Sequence, residues 1–178
     1  GPLTLVTPWG ELLMLAMAAL SLGLTPAGAR AANGFSWAAI TEVAVLFAGI
    51  FVTMVPALAI LQLHGRSLGV EAPWEYFLLS GALSSFLDNA PTYLAFLALG
   101  QGLNLADEVV GVTHAVLTGI SVGAVSMGAN TYIGNAPNFM VKSIAQEAGV
   151  KMPSFFGYMA WSAGILIPMF VAVTLLFF

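Results

Sequence analysis

The chain has no cysteine, so disulfides, thiolate metal sites and cysteine nucleophiles are excluded. Charge is almost as scarce. Lys and Arg number 4 and Asp and Glu 8 among 178 residues, 7% of the chain against 60% apolar. A soluble domain carries about 25% charged residues, and so few charges cannot cover the surface of a soluble chain this long. Mean hydropathy is +0.97, and the composition is that of an integral membrane protein. The net charge of −4 gives no reason to expect a nucleic-acid partner. No HExxH zinc motif occurs. Asp88 is the only aspartate inside an apolar segment, so an intramembrane di-aspartyl protease lacks its second carboxylate. We therefore expect no enzyme. The opening residues lack the basic start and small-residue cleavage site of a signal peptide. Gly1-Pro2 in place of a leading Met fits either a protease scar or a fragment.

Apolar length is what the chain does have. A crossing helix needs about 20 mostly apolar residues. Scaffold helices are expected at about 5–24, opening at Thr7-Pro8 with Trp9 at the interface, and at about 37–63, with Ser36 as a cap and Pro56 inside. A final helix is expected over 155–178, containing Pro168 and a Phe-rich, lipid-facing tail. Two segments differ. Tyr76–Leu87 is apolar for only about 12 residues, roughly 18 Å of helix, before DNAPT (Asp88–Thr92) interrupts it and Tyr93–Leu99 continues. Segment 76–100 reads as a re-entrant hairpin, or as one full helix kinked at its proline. Segment 109–148 reads as one spanning helix unwound at GANTYIGNAPN. The whole, 1–178, is expected to be a single transmembrane domain, all-α and polytopic. Loop Lys and Arg place Arg30, Lys142 and Lys151 on one side against Arg66 on the other, which favours the first side as cytoplasmic.

The two interruptions share Asn-Ala-Pro. Pro91 and Pro137 each remove an N–H and prevent an unbroken ladder through Asn89 and Asn135. Each proline also suits the first turn of a following half-helix. Unwound backbone in a bilayer is tolerated only inside protein or against a water-filled cavity. Half-helix N-termini suit anions, and the freed carbonyls, Asn amide oxygens and Ser or Thr hydroxyls suit Na⁺. A channel filter can use the same device. Asp88, a carboxylate at mid-depth, is a candidate for exchanging a proton against a cation; the plainer reading is a helix cap. Ser80, Ser84 and Ser85 are candidate cation ligands or small packing residues, and Gly119, Gly123 and Gly128 packing residues. Glu11 and Glu42 read as first-turn charges, His114 as a structural histidine and His64 as a loop residue.

With these residues in view, SSFLDNAPTYLAF (Ser84–Phe96) and GANTYIGNAPNFMVKSIA (Gly128–Ala145) resemble the hairpin-tip and unwound-helix motifs of the ion-transporter superfamily. That group includes arsenite permeases, NhaD-type sodium/proton antiporters, and citrate and dicarboxylate transporters. The nearest likeness is to the citrate-transporter group described as sodium:proton antiporters, over about Ser36 to the C-terminus. The resemblance favours the hairpin over the kinked helix. It implies two inverted repeats, of which this chain supplies one hairpin and one unwound helix, as a C-terminal half would. It further implies a cation or substrate site at Ser85, Asp88, Asn89 and Thr92 on the tip, and at Asn130, Thr131, Gly134, Asn135 and Asn138 on the unwound helix, with possible Na⁺ at the same residues. The expected function is ion-coupled secondary transport by alternating access, with Na⁺/H⁺ antiport ahead of citrate or dicarboxylate symport, and arsenite efflux and a passive channel as further alternatives. No cofactor is expected beyond Na⁺ or H⁺ as coupling ion. The partners implied are the lipid bilayer, a small ion or organic anion, the missing other half-repeat and, as an open option, a second copy in a homodimer. The implied location is the inner or plasma membrane, multi-pass.

Overall fold

The computed structural model describes residues 8–34, 36–104 and 108–178. Thr7 of the expected first helix start and Asp107 lie outside them. Regular structure among the described residues is helical, apart from an isolated bridge between Val109 and Val112. The helices are α1 (Trp9–Leu24), α2 (Ala27–Ala32), α3 (Ala38–His64), α4 (Pro73–Ser84), α5 (Asn89–Gln101), α6 (His114–Ser126), α7 (Ala136–Glu147) and α8 (Phe155–Phe177), with 3₁₀ turns at Gly65–Leu68 and Met127–Asn130. The chain divides into two compact units, Gly1–Phe47 and Ala48–Phe178.

In the first unit α1 is apolar, buries no residue and carries Glu11 in its first turn. Its 16 residues reach roughly 24 Å. Arg30 Nη1 donates to Leu22 O at 2.6 Å, so a guanidinium satisfies a carbonyl of α1's last turn, where the helix dipole is negative.

Among the described residues, two helical stretches are long and apolar enough to cross a membrane, Val43–Leu68 and Phe155–Phe177. Helix α3 continues through Pro56, and α8 through Pro168. Between them α4, α5, α6 and α7 have only 12 or 13 residues each.

The second unit is organised around α4. Helices α4 and α5 form an antiparallel hairpin: Tyr76, in the first turn of α4, packs against Leu99 near the end of α5, and its ring meets Phe96 edge-on at 6.4 Å. Helix α6 runs parallel to α4. Ser80, Ser84 and Ser85 donate in order to Ile120 O, Ala124 O and Met127 O. Glycines permit that approach: a Cβ on Gly119 would lie 2.5 Å from Pro73 O, and one on Gly123 would strike Phe77 O. Small residues with hydroxyls that satisfy a neighbour's carbonyls hold helices together without help from water.

The base of the hairpin is tied to the end of α3. Gln62 Nε2 donates to Gln101 Oε1 at 2.7 Å, and Arg66 Nε donates to Leu103 O at 2.9 Å. At the start of α4, Glu75 accepts from the N–H groups of Glu71 and Ala72, both at 2.8 Å. Helix α7 stops at Gly149, whose φ of +82° suits a residue without Cβ. Val150 N then bonds Ala145 O and Gly149 N bonds Gln146 O, a Schellman closure. The Phe-rich tail is not wholly outward. Phe170 is buried against Phe77, and Phe178 stacks on Phe77 at 5.2 Å. An aromatic partner across the helix pair draws these rings inward.

Candidate functional site

The hairpin tip and the unwound segment meet. Helix α4 ends at Ser84, and the chain turns through Ser85–Leu87 before Asp88, extended at φ −60° and ψ 149°, precedes α5. Pro91 is the third residue of α5 and Pro137 the second of α7. Neither costs a helical bond there, because the first N–H groups of a helix have no intrahelical acceptor. After α6 and its 3₁₀ turn, Thr131 and Asn135 are extended (φ −135° and −156°), so the backbone of 131–135 leaves the helical ladder.

Thr131 joins the two halves. Its Oγ1 donates to Ser85 O and accepts from Ile133 N at 3.2 Å and Gly134 N at 3.0 Å. Asn130 Nδ2 donates to Ser85 Oγ at 3.0 Å. Ser85 Oγ also meets Gly81 O and Met127 O, each at 3.0 Å. Asn138 Nδ2 braces the unwound loop across itself, donating to Gly128 O at 3.0 Å and Thr131 O at 3.1 Å. The Ser84 proton goes to Ala124 O, so the Asn89 amide must donate to Ser84. With Nδ2 on that side it reaches Ser84 Oγ at 3.0 Å, Ala124 O at 3.1 Å and Gly134 O at 3.2 Å.

Glycine makes the contact possible. A Cβ on Gly134 would lie 2.5 Å from Gly128 O and 2.8 Å from both Ser84 O and Ser85 O. Three backbone carbonyls from tip and unwound segment therefore converge on this Cα. Asn130 Oδ1 is buried with no hydrogen-bond partner. Among the described residues no three His, Cys, Asp or Glu side chains group to hold a metal. The donors here are neutral oxygens, which suit a hard monovalent cation better than a transition metal. A cavity of about 430 Å³ opens beside them, with Ser85, Asn130, Thr131 and Ser162 on its polar side and apolar walls such as Leu78 and Ile167.

Of the expected site residues, the structure thus brings together Ser85, Asn89, Asn130, Thr131, Gly134 and Asn138. Thr92 spends its hydroxyl within α5, on Asp88 O at 3.0 Å. Asp88 and Asn135 stand at N-cap positions, yet neither makes a side-chain cap bond. Ser80 and Ser84 donate to α6 carbonyls and brace helices. His114 is the first residue of α6, its N–H held by Glu108 Oε2 at 2.9 Å.

Three contributors were not legible in the sequence. Tyr158 Oη donates to Ala129 O at 2.9 Å and Ser162 Oγ to Asn130 O at 2.7 Å, both from α8. Tyr132, buried in the unwound segment, stacks on Tyr158 at 4.2 Å. The available signal was the polar atoms of Tyr158 and Ser162 one turn apart in a largely apolar helix.

No curated protein and no solved structure matches the chain. Residues 3–178 match the sequence profile of a family described as "putative citrate transport". That match covers nearly all of the chain, including both Asn-Ala-Pro breaks and the helices that carry them, and the chain belongs to this citrate-transport family.

Proposed function

We propose that the chain carries one repeat of an ion-coupled secondary transporter for a citrate-like organic anion, multi-pass in the cell membrane, with α4 and α5 re-entering the bilayer. The observation that carries this is the meeting of two helix breaks at Gly134. Carbonyls from Gly128, Ser84 and Ser85 crowd that residue, and Asn130, whose amide bonds Ser85 Oγ, has a buried Oδ1 that lacks a donor. Such a group of oxygens favours a cation, while the starts of α5 and α7 offer free N–H groups and positive dipole ends to a carboxylate. A coupling cation held between tip and unwound segment links their relative position to substrate binding. A family described by citrate transport supports the organic anion over arsenite. The test uses the full-length protein that contains this chain, reconstituted in proteoliposomes. Labelled citrate should accumulate uphill under an inward Na⁺ or proton gradient. Cation–proton exchange without citrate uptake would overturn the citrate reading.

Na⁺/H⁺ antiport is the second reading, favoured by one observation. Asp88 occupies the α5 N-cap position without using its carboxylate as a cap, so capping does not account for a carboxylate at the hairpin tip. On this reading Asp88→Asn abolishes pH-dependent cation exchange; unchanged exchange would remove Asp88 from the mechanism.

A further inference from the structure

We infer that Tyr158 and Ser162 of α8, together with Tyr132, are positioning residues that set the cation affinity of the unwound segment; this rests on the cation-coupled reading above. Unwinding frees the carbonyls that a continuous α6–α7 helix would pair. Two of them, at the consecutive residues Ala129 and Asn130, are taken by Tyr158 Oη (2.9 Å) and Ser162 Oγ (2.7 Å). Those donors stand four residues apart on α8 and so share one face. The same α8 turn presents the Tyr158 ring to Tyr132 at 4.2 Å between centroids and 26° between planes. Tyr132 Oη returns a bond to Pro153 O at 3.2 Å, just before α8. The Lys142 ammonium lies 4.6 Å from the centre of the Tyr132 ring, a cation–π contact that ties α7 to the same stack.

Asn130 is thus held at two points. Its carbonyl is fixed by α8, and its amide by Ser85 of the hairpin tip at 3.0 Å. Thr131, the next residue, bonds Ser85 O. The unpartnered Asn130 Oδ1 therefore has a position set by α8 on one side and α4 on the other. None of the α8 groups needs to touch a cation. They act by fixing the oxygens that would, and cation affinity is sensitive to small displacements of its ligands.

The variants are Ser162→Ala, Tyr158→Phe and the hydroxyl-retaining Ser162→Thr. Tyr158→Phe keeps the ring stack and loses only the hydroxyl. In citrate uptake by the full-length protein, the half-saturating Na⁺ concentration should rise about 5- to 10-fold in the first two, the factor carried by one hydrogen bond of ordinary net strength. Maximal rate should change far less, and Ser162→Thr should restore the parent value. A second measurement is independent of citrate. The chain has no cysteine, so Ile133→Cys, in the full-length protein with any cysteine outside this chain replaced, introduces one thiol at an exposed position of the unwound segment. Its maleimide labelling rate is titrated with Na⁺, and with protons at fixed Na⁺. Cation should slow labelling in the parent, and the midpoint should move upward in Ser162→Ala and return in Ser162→Thr. Unmoved midpoints in both Ser162→Ala and Tyr158→Phe, or no effect of either cation on the parent, would overturn the inference. Loss of citrate uptake alone, with shifted labelling midpoints, overturns the substrate reading and leaves the positioning role standing.

Discussion

At Thr131 one hydroxyl serves three partners: it donates to Ser85 O and accepts from the Ile133 and Gly134 N–H groups. The isosteric Thr131→Val keeps the volume and removes all three bonds. Each such bond contributes about 0.5–1.5 kcal/mol net, so loss of all three should cost roughly 1.5–4.5 kcal/mol, read as a lowered thermal midpoint in detergent, together with loss of cation-dependent stabilisation. Gly134→Ala tests the neighbouring contact differently. Its added methyl meets three backbone carbonyls at 2.5–2.8 Å, none of which can rotate away. Coupled uptake should fall at least tenfold; parent-level uptake would show that the carbonyl cluster is not the site. Thr131 and Gly134 entered the sequence reading through the likeness of their segment to an unwound-helix motif, and the structure adds their contacts with Ser85. Asp88 shows the boundary of that reading, since its position is that of a cap and its side chain does not act as one. Tyr158 and Ser162 were illegible for another reason. They reach carbonyls 29 and 32 residues away, and a pairing that distant leaves no mark on local periodicity.

Helices α4 and α6 are held in register by Ser80, Ser84 and Ser85 on one side and Gly119 and Gly123 on the other. Gly119→Ala puts a methyl 2.5 Å from Pro73 O; overpacking of a tight contact costs about 1–3 kcal/mol, and the thermal midpoint should fall accordingly. Gly164→Ala in α8 is the matched control, because nothing lies within 4 Å of its added Cβ. That change should be neutral or stabilising by about 0.5–1 kcal/mol, the helix preference of Ala over Gly. The start of α4 carries a pH signature. The Glu75 carboxylate accepts the Ala72 N–H and then the Glu71 N–H, which hold its pKa below the ordinary 4.5. A lowered folded value means the cap stabilises the fold above about pH 4.5 and fades as pH falls through that lowered value. Glu75→Gln should therefore lower the thermal midpoint at pH 7, and its difference from the parent should shrink as pH falls below 4.5. The two short helical arms were legible from apolar length, and the glycines from their spacing. What the sequence left open was direction: twelve apolar residues, a break and more apolar residues fit a straight kinked helix as well as a hairpin. The antiparallel return is fixed by non-local contacts such as Tyr76 against Leu99 and Phe96.

Along the chain, the long apolar stretches Val43–Leu68 and Phe155–Phe177 flank four helices too short to cross a bilayer alone. The α4–α5 hairpin brings its two ends back together. A Cβ on Gly102, past the end of α5, would lie 2.5 Å from Gln62 O, and one on Gly65 would lie 2.6 Å from Leu99 O. The turn that precedes α4 and the turn that follows α5 are therefore neighbours, and the re-entrant reading expects both to emerge on one side of a membrane. A kinked crossing helix would place them on opposite sides. The chain has no cysteine, so single thiols, with any cysteine outside it replaced, report this directly. Ser67→Cys before α4 and Asn104→Cys after α5 should be blocked by a membrane-impermeant maleimide from the same side of sealed vesicles. Leu87→Cys, exposed at the tip between the arms, should label more slowly from that side, since reagent must reach it through the protein's own cavity. Ser67→Cys and Asn104→Cys labelling from opposite faces would replace the re-entrant hairpin with a crossing helix. The convergence of carbonyls at Gly134 would then have to be reached without a tip entering from one side, which removes the simplest physical basis for an alternating-access site.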